Sequence, residues 1–245
     1  MTVDSAQASQ DWSLMAWTML EYPALARALT DLAASDASKQ ELINQTFKRC
    51  QVGTRQQLLN ASDQVWTTAE QLTNWVRAQA IEACWQLADQ TIGSPACMDQ
   101  LFAFASLIRA DHRLRAALTD RLVPWPKRSI LVDQILADQA SASHRLISLA
   151  LSWDKDTVDQ QLRTIMDHGA SRQGQVLAII TVARALDTDR LARLSAAVAA
   201  RLGKDIVVEL RVDPSVVGGV RIDCGDQLID ATMAARLEAA RRDFQ

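Results

Sequence analysis

Hydrophobic positions along most of the chain recur at helical spacing. Trp12, Met15, Ala16, Met19 and Leu20 share one side of a predicted helix that ends near Tyr22-Pro23. Pro23 suits the start of the next helix, over 24–32, because a missing N–H costs nothing in a first turn. Leu42, Ile43 and Phe47 mark a helix over 38–50, and 56–61 gives a short one. A long helical stretch over 64–90 stops at Ile92-Gly93-Ser94-Pro95, and further helices follow over 142–151 and 157–168.

The pattern changes after His168-Gly169-Ala170-Ser171-Arg172-Gln173-Gly174, the clearest break in composition and the expected domain boundary. Residues 176–183, VLAIITVA, are apolar and β-branched enough for a buried strand. Asp187 or Thr188 caps a helix whose Leu191, Leu194, Val198 and Leu202 share a face, and Gly203 ends it. Val208, Leu210 and Val212 then alternate with Glu209 and Arg211, which predicts a strand with one apolar and one solvated face. Asp213-Pro214 stops that strand, and Gly218-Gly219 suits a bulge or a tight crossing. Val220 and Ile222 resume the alternation, Gly225-Asp226 turns the chain into Leu228-Ile229-Asp230, and an Arg-rich helix closes it.

One unit recurs within the helical part. Leu25-Ala26-Arg27-Ala28-Leu29-Thr30-Asp31 returns 89 positions later as Leu114-Arg115-Ala116-Ala117-Leu118-Thr119-Asp120. At that offset Lys39 meets Arg128, Leu42 meets Leu131, Ile43 meets Val132, Gln45 meets Gln134 and Phe47 meets Leu136. The expected fold is mainly α: an N-terminal helical bundle with an internal repeat, then a small α+β domain. Its expected parts are a helical extension over 1–70, a bundle over 71–170 and an α+β domain over 171–245 that carries a hairpin at Asp213-Pro214-Ser215-Val216-Val217-Gly218-Gly219.

Composition narrows the function classes. A formal net charge of −3, with basic residues scattered among acidic ones, argues against nucleic-acid binding. The first eleven residues lack the basic and apolar parts of a signal peptide, and no run approaches ~18 apolar residues. A cytoplasmic or peripheral location is expected. Cys50, Cys84, Cys97 and Cys224 form no C-x-x-C pair and read as structural thiols in a reducing compartment.

Candidate chemistry is sparse. There is no G-x-S-x-G, no G-x-x-x-x-G-K and no H-E-x-x-H. His112, His144 and His168 stand far apart, and each reads as a solvated or capping histidine rather than a metal ligand. The pair Asp187 and Asp189 fits a helix start, and Gly218-Gly219 lacks the spacing of a dinucleotide fingerprint. No catalytic residue, cofactor or metal is expected.

One helix has more apolar surface than a bundle helix needs. Val76, Ala80, Ala83 and Leu87 form one stripe, and Ile81, Trp85 and Ala88 form another on the opposite side. Either this is a central helix shared by the two repeats, or Ile81 and Trp85 line a groove for a partner's amphipathic helix.

The run Asp213-Pro214-Ser215-Val216-Val217-Gly218-Gly219-Val220-Arg221-Ile222, with Gly225-Asp226, Ile229-Asp230 and the Arg-rich 235–242, resembles the delta subunit of bacterial F-type ATP synthase. The mitochondrial counterpart is the oligomycin-sensitivity-conferring protein. Asp213, Pro214, Gly218, Gly219, Gly225 and Asp230 carry this structural signature, and Arg172, Gly174 and the helix from Asp187 fit upstream of it. The likeness is dense over the last third and looser over 77–168. Ala231-Thr232 replaces the usual Gly-Ser, and the chain exceeds the usual delta length by about one repeat. It looks like an extended form with a partly duplicated helical domain, of which 71–170 resembles the delta N-terminal domain.

The resemblance implies a non-catalytic stator subunit of the peripheral stalk, at the cytoplasmic face of the membrane and held there through the complex. It implies two partners. The N-terminal helix of an ATP synthase alpha subunit would lie between the first and fifth helices of the delta helical domain. The b subunit of the stalk would meet the C-terminal domain. Matched by position, those two helices are 76–89 and 157–167. The groove expected between them uses Ile81, Trp85 and Ala88 on one side and Leu162, Ile165 and Met166 on the other. The competing class is a free-standing helical adaptor built on the same fold.

Overall fold

A computed structural model describes residues 4–153, 155–216, 219–225 and 227–230, the last four for their backbone. The chain divides into two compact units, Met1–Ile165 and Met166–Gln245. Residues 1–70 and 71–165 therefore share one unit, and the division falls inside a helix.

The helical unit opens with α1 (Ser5–Glu21), α2 (Pro23–Leu29), α3 (Asp36–Thr46), α4 (Val52–Ser62) and α5 (Ala69–Thr91). These are followed by α6 (Ser94–Ala110), α7 (His112–Thr119), α8 (Trp125–Ile135), α9 (Ser141–Ser152) and α10 (Val158–Arg172). Each of the first five begins 89 residues before its counterpart: 5 and 94, 23 and 112, 36 and 125, 52 and 141, 69 and 158. The duplication legible in α2 and α3 thus extends over five helices.

Local chemistry sets the helix starts. Ser35, Thr68 and Asp111 accept N–H bonds from the first turns of α3, α5 and α7. Pro23 is the first residue of α2, as its fixed φ favours. α5 begins at Ala69 rather than at residue 64 because the Thr68 hydroxyl accepts from Gln71 N at 3.3 Å. Just before it, Trp66 Nε1 donates to Ala61 O at 2.8 Å and holds a turn.

The repeats differ where their surroundings differ. On α9 and just past it, Ala142, Leu146, Leu149 and Trp153 are buried, packed in a layer with α1, α5, α6 and α8. The same positions of the first repeat are Gly53, Gln57, Asn60 and Gln64, all exposed. Burial and side-chain chemistry have diverged together.

In the second unit the chain runs β1 (Val176–Val182), α11 (Thr188–Leu202), β2 (Ile206–Val212), β3 (Val220–Cys224) and β4 (Gln227–Asp230). The sheet order is β2-β1-β3-β4, with β1 and β2 parallel and the other pairs antiparallel. A helical crossover is what a parallel pair requires, and α11 supplies it. Asp187 caps α11 through Arg190 N at 2.8 Å, and Gly203 closes it at φ 63°. Val198, Leu194 and Leu202 of α11 cover Ala178, Ile180, Val182 and Ile222 on one sheet face.

Three expectations are corrected here. The stretch 168–172 is helical, and the chain turns at Gly174, φ 71°. Ala170 is buried there, so its small size serves packing, not a linker. Next, β2 and β3 are not neighbours in the sheet, so the expected hairpin between them is absent. β2 is an edge strand, β1 lies between it and β3, and the hairpin is β3–β4 at Gly225, φ 58°. Asp213 N donates to Val182 O at 2.8 Å, which ties the crossing to the end of β1. Finally, the β2 face read as solvated holds Glu209, 2% exposed, in a two-bond pair with Arg211 at 2.9 and 3.1 Å. Leu177 and Ile179 are buried on that face too, so a buried carboxylate there needs a cation.

Candidate functional site

The helix with two apolar faces, α5, is the centre of the helical unit. It packs against α1, α2 and α4 of the first repeat and α6 and α9 of the second. Val76, Ala80, Ala83 and Leu87 are buried on one stripe, and Ile81, Trp85 and Ala88 on the other. Having neighbours from both repeats explains two stripes.

The six expected groove residues are all interior: Ile81 is 4% exposed, and Trp85, Ala88, Leu162, Ile165 and Met166 are at 0%. Trp85 Nε1 donates to Ile165 O at 3.2 Å, so its one polar atom is satisfied inside the unit. The match of helices by position also changes. Counted from α5, the fifth helix is α9, and 157–167 belongs to the sixth, α10. α1 packs against both α5 and α9, which also touch each other, so the seam between them is filled by a helix of the same chain.

Near its start α5 is pinned to the segment that enters α10. Arg77 lies 4.6 Å from the ring centre of Trp153, and Lys155 lies 5.8 Å from the same ring. Arg77 also donates to Gln161, and Lys155 pairs with Glu70. Burial pulls the Arg77 guanidinium down to about 10, partly offset by nearby Asp156. Sequence pattern does not disclose this stack, because Trp153 and Arg77 are far apart in the chain.

The thiols are placed for packing. Burial pushes Cys84 and Cys50 up to about 12 and Cys97 up to about 11, and Asp11 adds to the effect at Cys50. All four cysteines are buried, and none is part of a disulfide. Among the described residues no group of three His, Cys, Asp or Glu side chains is placed to hold a metal ion. No described helix is long and apolar enough to cross a membrane. His144 Nε2 meets Asp133 Oδ1 at 3.0 Å, and the equivalent pair in the first repeat is Arg55 with Asn44 at 2.8 Å.

Of the signature residues, Asp213 turns the crossing by accepting from Ser215 N at 2.9 Å. Bonds from the Ser215 hydroxyl and N–H hold its carboxyl below the usual range. Gly219 has φ 96° and Gly225 φ 58°, conformations that a Cβ disfavours. Asp230 ends β4 opposite Arg221. Gly218 and the Arg-rich 235–242 lie outside the described residues.

The fold is thus a duplicated helical scaffold followed by a small α+β unit. Comparison with known proteins assigns it to a family. The family model for the ATP synthase delta (OSCP) subunit matches residues 82–244. The chain is 30% identical to ATP synthase subunit delta of Streptomyces avermitilis, over 98% of this chain and 89% of that protein. It is 31% identical to the subunit of Kineococcus radiotolerans, over 89% and 80%, and 30% to that of a Parafrankia species, over 95% and 84%. The chain belongs to the ATP synthase delta (OSCP) family, whose members are structural, non-catalytic subunits of that complex.

Proposed function

We propose that this chain is a stator subunit of the peripheral stalk, tying the catalytic head of a rotary ATP synthase to the b subunit at the cytoplasmic face of the membrane. The helical unit meets the N-terminal helix of an alpha subunit, and the α+β unit meets the b subunit. The observation that carries this reading is the family match, which runs through residues of both units. The build of the helical unit suits the task. A part that resists torque has to transmit load through packed helices, and α5 is packed on both of its faces.

The alpha-subunit helix takes the seam of α5 and α9. Ile81, Trp85 and Ala88 form the α5 wall, and Leu162 and Ile165 support it from α10. Because α1 packs on both α5 and α9, the incoming helix reaches the seam only as α1 gives way. Calorimetric titration of the full chain with a peptide of the alpha subunit's N-terminus tests the partner. Saturable binding is expected, and none at all would remove the alpha contact from the proposal. Adding the chain to a complex stripped of its delta subunit tests the role: proton-driven ATP synthesis is expected to return.

A further inference from the structure

The two repeats form clefts at equivalent places, where the short helices α2 and α7 face the starts of α5 and α10. The cleft of the second repeat has a volume of about 400 Å³ and is walled by Thr119, Leu151 and Val158. Five charged side chains line it: Arg115, Arg121, Arg128, Asp156 and Asp159.

Three of the five are committed within the fold. Arg128 is buried, and it donates to Leu118 O and Val123 O at 2.9 Å and to Leu151 O at 3.2 Å. Asp159 pairs with Arg109 at 3.2 Å, and Asp156 accepts from Gln161 at 3.0 Å. Arg115 and Arg121 remain, and neither side chain has a partner among the described residues. Leu122, next to Arg121, is 92% exposed.

The first repeat shows what the fold itself requires there. Ala26 stands where Arg115 stands, and Leu32 stands where Arg121 stands. That cleft, about 460 Å³, is lined by Met19, Leu20, Pro23 and Ala26, and its Glu70 is paired with Lys155. The fold needs no guanidinium at either position. The two arginines are thus an addition confined to one copy.

We infer that the cleft bounded by Arg115 and Arg121 is a docking site for an acidic, partly apolar segment of a partner protein. Two unopposed guanidiniums recognise carboxylates through paired N–H donors. The apolar walls at Leu151 and Val158, with Leu122 beside the mouth, suit aliphatic side chains between those carboxylates. A free inorganic anion would leave Leu122 uncovered. No residue of α5 lines this cleft, and α9 reaches it only through Leu151 in its last turn, so it is a surface distinct from the α5–α9 seam.

The probe is a short peptide of alternating leucine and glutamate, titrated calorimetrically into the full chain. Saturable binding that weakens with added salt is expected. Arg115→Gln with Arg121→Gln should weaken it at least about tenfold, while Arg27→Gln, in the cleft of the first repeat, should leave it unchanged. Both arginines are exposed, and Arg121→Gln alone, in a loop, is a second variant that keeps the helices intact. Absence of saturable binding would overturn the inference, as would equal affinity in the double variant. So would equal affinity for a leucine–lysine peptide. Displacement by inorganic phosphate at the peptide's own concentration would show an anion site in place of a protein-docking site, and would also overturn it.

Discussion

Lys39 and Arg128 hold equivalent places in the two repeats and bind equivalent points of equivalent helices. Lys39 Nζ donates to Ser62 O at 3.1 Å, and Arg128 Nη1 donates to Leu151 O at 3.2 Å. Ser62 and Leu151 are themselves equivalent, in the last turns of α4 and α9. A buried cation there meets carbonyls that lack a partner along the helix and the negative end of its dipole. Both cations are nearly enclosed, at 5% and 4% exposed.

The two should not be worth the same. Arg128→Met leaves three carbonyls without a donor and should cost about 2–4 kcal/mol, whereas Lys39→Met leaves one and should cost about 1–2 kcal/mol. All seven tryptophans lie in the helical unit, so tryptophan fluorescence during urea unfolding follows that unit alone. An Arg128 variant no less stable than the Lys39 variant would refute the ranking.

Trp85 separates core from interface. Fully buried and hydrogen-bonded to Ile165 O, it should behave as core. Trp85→Ala should cost the helical unit about 3–5 kcal/mol, from lost burial and the cavity left behind. The measurement is again urea unfolding, read by the remaining tryptophans. A variant of unchanged stability that no longer bound the alpha-subunit peptide would make Trp85 a surface anchor instead.

That contrast shows where sequence reading succeeds and where it stops. Helices were legible because Met15, Met19, Ile43 and Phe47 recur at helical spacing and all are buried. The cap at Asp187 and the stop at Gly203 were legible because both act through neighbours in the chain. Two apolar stripes on α5 were equally visible. What covers them depends on α1 and α9, over 50 residues away on either side, and periodicity carries no such information. The same limit hid the stack of Arg77 on Trp153 and the pairing of Glu209 with Arg211 on a face read as solvated. Lys39 and Arg128 were visible as a matched pair, but a cation among repeat positions does not by itself disclose a buried carbonyl.

The thiols give a pH dependence of definite sign. Burial raises Cys84 to about 12 and Cys97 to about 11, while an unfolded chain ionises its thiols near ~8.5. Below that pH both states are protonated and the contribution is complete. As pH rises toward the folded values, the unfolded state releases protons first, so stability falls. Unfolding midpoints should therefore drop between about pH 9 and 11, and Cys84→Ser with Cys97→Ser should flatten that slope. Alkylation at neutral pH should be slow in the native chain and fast in denaturant. Rapid native labelling of Cys84 would contradict its enclosure.

The place of α1 can be fixed by a bond. Ser13 Oγ on α1 lies 3.9 Å from Cys84 Sγ on α5, close enough that a modest side-chain movement would bring two sulfurs to the ~2.05 Å of a disulfide. In Ser13→Cys, oxidation should tie α1 to α5, and reduction should free it. Because the Cys84 thiol is held protonated, a strong oxidant such as diamide is required. If the alpha-subunit helix enters the seam of α5 and α9, the oxidised variant should fail to bind the N-terminal peptide, and a reductant should restore wild-type affinity. The disulfide itself should raise the unfolding midpoint of the helical unit, which shows that the bond has formed without distortion. Equal binding in both redox states would mean that α1 stays where it is when the partner docks, and that the helix rests on another face of the bundle.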